Sequence, residues 1–188
     1  AENTGEDDKG TTVLIDDFEG GRIRWNAAGT WSCAVMTEKT REHVSTGKNA
    51  MKAVYNLKEP GQNAVFMIED SLDLSEATEL KMDVYYPDDF PSNLSISLST
   101  GDKWAWQEYR TTKLKKGWNK DVTFYFKDMK WKNEGSKWTN TVNPADIKNT
   151  RRLCLLLFPA NIGEGYIVFD NIRMKTTDPA KLASIVPL

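Results

Sequence analysis

The stretch Leu94-Ser95-Ile96-Ser97-Leu98-Ser99 alternates apolar and hydroxylated residues without a break. A period of two is the pattern of a β-strand with one face on a core and the other toward water. The same kind of run returns along most of the chain. Val13-Leu14-Ile15 opens the series, followed by residues 31–36, 50–57 and 64–68. Leu80-Met82-Val84, KWAWQEYR at 103–110, Val122-Phe124-Phe126, 152–158 and 166–174 complete it. Turn signals separate many of these runs: Glu59-Pro60-Gly61, Thr100-Gly101-Asp102 and Lys116-Gly117-Trp118. About ten short strands with turns between them predict an all-β sandwich or barrel. Helical patterning is confined to single turns at 70–77 and 143–149, the latter with Pro144 near a helix start. The small serines at 95, 97 and 99 also leave room for something to lie across the wet face of their strand.

A chain of 188 residues fits one domain with tails and can bury a core without disulfide staples. Charged residues make up 28% and the net charge is −2, so a nucleic-acid partner, which calls for a basic patch, is not expected. The basic run Lys113-Leu114-Lys115-Lys116 is short and reads as a solvated turn. No apolar run approaches the length of a membrane span, and no membrane partner is expected. Residues 1–10, AENTGEDDKG, read as a disordered leader of the kind that follows a cleaved signal. Residues 11–175 form the domain, and 176–188, with two prolines and no alternation, read as a linker or tail.

Cys33 and Cys154 each sit in an apolar run and could form one bridge or remain two buried thiols. The lone histidine, His43, lies in the charged stretch TEKTREHVSTG and reads as a surface residue. No close-spaced Cys/His pairs exist for a zinc site.

As a strand, KWAWQEYR places Trp104, Trp106, Glu108 and Arg110 on one face and Ala105, Gln107 and Tyr109 on the other. Buried charges are rare unless paired, so the face ending in Glu108 and Arg110 is expected outside.

Three stretches then occur in order: LIDDFEG at 14–20, STGKNAMK at 45–52 and YIVFDNI at 166–172. This order, with a tryptophan-rich strand between, resembles the jelly-roll carbohydrate-binding modules of bacterial glycoside hydrolases, especially β-glucan- and mannan-binding ones. The resemblance spans about residues 13–175. It implies an antiparallel two-sheet jelly roll with a structural calcium where the first and last strands meet. The ligands carried over are Glu19 and Asp170, with Asp17 beside Glu19, and backbone carbonyls of Lys48 or Asn49. Carboxylates mixed with carbonyls suit calcium's preference for six to eight oxygens.

The resemblance also gives the tryptophans a purpose. Sugars offer flat C–H patches to aromatic faces and hydroxyls to charged side chains. Trp104 and Trp106 would stack, and Glu108 and Arg110 would bind hydroxyls. Trp31, behind the small loop Ala27-Ala28-Gly29-Thr30, is a further stacking candidate, and Tyr85 and Tyr125 project from wet-face positions. The expected protein is a monomeric, secreted or cell-surface bacterial binding module. Its partners would be a polysaccharide and a catalytic domain of the same polypeptide. A glycosidase would need two facing carboxylates, and only Glu108 is placed among aromatics. A protein-binding sandwich is the other alternative; its wet face would carry scattered apolar anchors.

Overall fold

The computed structural model describes residues 10–187. The leader expected over 1–10 falls outside the described residues except for Gly10. Two antiparallel sheets stack face to face. The first contains β1 (Thr11–Asp16), β3 (Ala34–Thr40), β4 (Ala50–Leu57), β6 (Ala77–Tyr86), β10 (Gly117–Tyr125) and β13 (Gly163–Thr176). Its order is β10-β6-β13-β4-β3, with β1 also on β13. The second contains β2 (Asn26–Ala27), β5 (Ala64–Leu72), β7 (Ser92–Thr100), β8 (Ala105–Tyr109), β9 (Thr112–Leu114), β11 (Trp131–Lys132) and β12 (Thr150–Phe158). Its order is β11-β8-β7-β12-β5-β2, with β9 also on β7. This is the expected jelly roll.

The inward stripes follow the sequence alternation. Leu94, Ile96 and Leu98 of β7, Leu153, Leu155 and Leu157 of β12, and Leu80, Met82 and Val84 of β6 are fully buried in one core. Aromatic pairs join the sheets: Phe66 with Phe169 at 6.5 Å between ring centroids, and Tyr109 with Phe124 at 5.7 Å. Trp25 and Trp131 are core residues, and each indole N–H finds an acceptor, Asp16 Oδ2 at 3.0 Å and the Tyr125 carbonyl at 2.8 Å. Such pairing offsets the cost of burying the N–H.

Three expectations change. The tail does not leave the domain: a short 3₁₀ turn at Pro179–Leu182 puts Leu182 and then Ile185 fully inside the core. Arg24 fastens it, donating to the Ile185 carbonyl at 2.7 Å and to that of Ile15 at 2.6 Å. The turn expected at 70–77 is shorter: β5 runs to Leu72 and β6 starts at Ala77, and between them one turn closes with the Ala77 N–H on the Leu74 carbonyl at 3.1 Å. The later turn is a 3₁₀ element at Ile147–Asn149, three residues beyond Pro144. Both cysteines are free and buried.

Candidate functional site

The outer face of the second sheet can be built from its register. On β8, Gln107 and Tyr109 point inward and are buried, while Trp106 and Glu108 point outward. Glu108 pairs with Lys132 of β11 and Ser97 of β7; Ser97 pairs with Cys154 of β12, and Cys154 with Met67 of β5. One row therefore reads Lys132, Glu108, Ser97, Cys154, Met67. The next reads Trp106, Ser99, Arg152, Glu69.

A second, smaller apolar cluster forms on this outer face from Ala28, Val65, Cys154 and Leu156, with Met67, Phe158 and Trp106 packed against it. Trp106 stands on β8, whereas Cys154 and Leu156 are on β12 and Val65 is on β5. The intervening strand is β7, so the indole reaches this cluster across the serines. Its Nε1 donates to Glu108 Oε1 at 3.0 Å. From the opposite edge of the sheet, in the loop between β2 and β3, Trp31 meets it edge to face. Ser95, Ser97 and Ser99 are themselves buried, so the room expected over them is not open to water.

Trp104 is not on the strand. It ends the turn Gly101–Trp104 with φ +54°, its N–H donating to the Gly101 carbonyl at 3.2 Å. Its exposed ring faces the guanidinium groups of Arg152 and Arg151, at 5.0 and 5.7 Å. Arg151 Nε anchors the turn through the Gly101 carbonyl at 2.7 Å. Buried Gln107 braces the surroundings, accepting from Asn133 Nδ2 at 2.9 Å and the Ala145 N–H at 3.0 Å.

The charges on this face are matched. Glu108 Oε2 lies 3.0 Å from Lys132 Nζ, and Glu69 Oε1 takes Nε and a terminal nitrogen of Arg152 at 3.2 and 2.9 Å. Asp102 meets Arg151 at 3.0 Å. Burial raises the Cys154 thiol to about 12, which keeps it protonated and unreactive.

The expected ligand set is only partly brought together. Trp31, Trp104, Trp106 and Glu108 share this face. Arg110 follows the end of β8, exposed, its N–H on the Lys130 carbonyl at 2.9 Å. Tyr85 and Tyr125 lie on the other sheet. Tyr85 stacks on His43, 3.6 Å between centroids, and meets Trp118 edge-on. Tyr125 is exposed on β10 beside Glu79. A period of two tells a wet face from a dry one but not which sheet a strand joins. Lys132, Arg152, Glu69 and Ser97 were missed because only the cross-strand register brings them together.

The five residues expected at calcium make no shared centre. β1 ends at Asp16, and Phe18 takes φ +61°, so alternation does not govern Asp17 to Glu19. Asp17 Oδ1 accepts the Glu19 N–H at 3.1 Å. Glu19 Oε1 accepts the N–H groups of Lys48 and Asn49 at 2.7 and 2.8 Å, and Oε2 accepts Asn49 Nδ2 at 2.9 Å. The loop thus turns donors, not carbonyls, toward this carboxylate. Asp170 is fully buried and accepts the N–H groups of Ser45, Thr46 and Asn171 at 2.8–3.0 Å. Among the described residues no group of three or more His, Cys, Asp or Glu side chains could hold a metal ion. The geometry is that of two carboxylates capping a loop through its N–H groups.

No protein-family model matches the chain, and no curated protein matches it. Solved structures do. A family 11 carbohydrate-binding module from Clostridium thermocellum, in complex with a β-1,3-1,4-mixed-linked tetrasaccharide, aligns with TM-score 0.61 at 15% identity, over 88% of this chain and 95% of that one. A family 28 module specific for non-crystalline cellulose aligns with TM-score 0.62 at 20% identity, over 88% and 95%. The chain has the β-sandwich fold of these carbohydrate-binding modules. An exo-β-agarase aligns with TM-score 0.60 at 14% identity, over 89% of this chain but 25% of its own. The same fold therefore also occurs as part of a larger enzyme chain. No described helix is long and apolar enough to cross a membrane.

Proposed function

We propose that this domain binds a neutral polysaccharide, of β-glucan or mannan type, on the outer face of the second sheet, and does so without catalysis. The observation that carries this is the gathering of Trp31, Trp104 and Trp106 on a face whose acids and bases are internally paired. Aromatic rings offer apolar contact to sugar C–H patches. Charges already engaged with one another offer directed hydrogen bonds to hydroxyls without a net field that would select an anionic polymer. Glu108 and Glu69 each hold a basic partner, which disfavours an acid/base pair of the kind hydrolysis needs. The fold shared with binding modules supports the same reading. In a secreted or cell-surface bacterial parent enzyme the domain would tether a catalytic partner to its substrate and raise the local concentration.

Affinity electrophoresis against mixed-linkage β-glucan, xyloglucan, glucomannan, galactomannan and xylan tests this. Retardation by a neutral β-glucan or mannan is the expected result. Retardation by none of the five would refute it.

A further inference from the structure

Trp138 presents its indole to solvent from a strained backbone. It is 51% exposed and, among the described residues, belongs to none of the ring pairs or cation contacts that engage Trp31, Trp104, Trp106 and Trp118. Lys137 and Trp138 are consecutive and both left-handed, at φ +53° and +60°, a conformation unfavourable for any residue with a Cβ. The loop around them is tightly tied. The Trp131–Val142 bridge closes its base. The Trp138 N–H donates to the Asn133 carbonyl at 3.0 Å, the Ser136 N–H to Asn133 Oδ1 at 2.9 Å, and Thr139 Oγ1 to the Ser136 carbonyl at 2.7 Å. Strained backbone persists where surrounding bonds over-determine it, and such positions cluster where ligands are held.

Topology sets this loop beside the proposed sugar face. β11 runs antiparallel to β8 with Lys132 opposite Glu108, so the chain leaving Lys132 heads toward the start of β8. The turn Gly101–Trp104 stands at that start. Buried Gln107 joins the two. Its Oε1 accepts Asn133 Nδ2 at 2.9 Å, at the root of the Trp138 loop, and its Nε2 donates to Thr100 Oγ1 at 3.3 Å, at the root of the Trp104 turn. Trp104 is likewise exposed and left-handed, at φ +54°. One end of the sheet therefore carries two exposed tryptophans, each on a backbone that glycine would adopt without strain.

Resting on the sugar-binding reading above, we infer that Trp138 is a further sugar-stacking residue, which extends the polysaccharide site from Trp104 past the β8–β11 edge of the sheet. The indole offers apolar contact to the C–H patch of one more ring of the neutral glycan. Because the loop is already fixed, little freedom is lost when the ring is engaged. The site then reads a longer stretch of polymer than the sheet face alone, and Gln107 links its two outer tryptophans.

The test compares wild type with Trp138→Gly and Trp138→Tyr in the full chain, by melting temperature and by affinity electrophoresis against mixed-linkage β-glucan, xyloglucan, glucomannan, galactomannan and xylan. Glycine suits the left-handed position, so Trp138→Gly should melt close to wild type. Its retardation by the polymer that binds wild type should weaken about three- to tenfold, and Trp138→Tyr, which keeps an aromatic face, should lose less. Equal retardation of wild type and Trp138→Gly overturns the inference and leaves the sugar-binding reading standing. Weaker retardation with a melting temperature several degrees lower marks the indole as a support for the loop and also overturns it, as does an equal loss in both variants. Absence of wild-type retardation removes the sugar-binding reading itself, and this inference with it.

Discussion

Trp31 and Trp106 meet with ring centroids 5.9 Å apart and planes at 82°, although they come from opposite edges of one sheet. Trp106 also packs against a small apolar cluster outside the main core that includes Cys154. Trp106 therefore has a structural task as well as its proposed one. Trp106→Ala is expected to destabilise the domain by about 2 kcal/mol, less than for a fully buried tryptophan. In a Cys33→Ala background it should also expose Cys154. Burial holds that thiol near 12, so it should ignore a disulfide reagent until the indole is removed. A time course of thiol modification in native buffer, with and without Trp106→Ala, decides this; equal rates would mean that the indole does not cover Cys154.

Trp104 holds its place at a backbone cost. A left-handed conformation is unfavourable by about 1–2 kcal/mol for a residue with a Cβ. The two guanidinium contacts return a similar amount, about 0.5–1 kcal/mol for each exposed pair. Trp104→Gly should therefore fold with nearly unchanged stability, since glycine relieves the strain that the lost contacts had offset. Its polysaccharide affinity should fall about five- to tenfold through loss of a stacking face. Denaturant titration and affinity electrophoresis read the two effects separately.

The loop at Gly47 gives a third prediction. Gly47 has φ +68°, and a Cβ there would collide with Glu19 Oε1. Gly47→Ala combines backbone strain with displacement of the carboxylate and should cost at least about 1–2 kcal/mol. The N–H groups of Asn49 and Lys48 hold the Glu19 carboxyl below its usual range. A folded value below the unfolded one means stability that is present above the unfolded carboxylate range and lost as pH falls through the folded value. Glu19→Gln should therefore lower stability at neutral pH, with the difference shrinking as pH falls. Thermal melts of both proteins across the acid range check the sign. Because Glu19 already accepts three N–H donors, adding calcium or EDTA is expected to leave the melting temperature in place. A rise of several degrees with calcium would show that an ion displaces these donors.

The strands were legible because period-two alternation is imposed by burial itself. Leu94, Ile96 and Leu98 could face only a core. The division of strands between sheets was not legible, and this is why Tyr85 and Tyr125 stood beside the tryptophans on paper and lie on the other sheet in space. KWAWQEYR showed the opposite failing. Trp106 and Glu108 follow the alternation, but the strand begins at Ala105 and ends at Tyr109, so Trp104 and Arg110 obey a turn and a strand end instead. The paired partners Lys132 and Arg152 depend on cross-strand register, for Arg152 set beside a bulge between Thr150 and Arg152, and no local pattern carries it.

The carboxyl-terminal stretch was misread for a related reason. Its two buried apolar residues, Leu182 and Ile185, are three apart in one tight turn, a pattern too short to stand out between prolines. They sit in the same core as Ile15 and Trp25, and Arg24 bonds to carbonyls of both segments. The domain thus extends beyond the end of β13. Leu182→Ala should cost about 2–4 kcal/mol, the range for emptying a buried leucine site. Ending the chain at Asp178 removes both side chains and leaves Arg24 without its Ile185 acceptor, so the loss should be larger. Urea titration of the full chain, Leu182→Ala and the shortened chain should give that order of midpoints. Equal midpoints for the full and shortened chains would return residues 179–188 to the role of a linker.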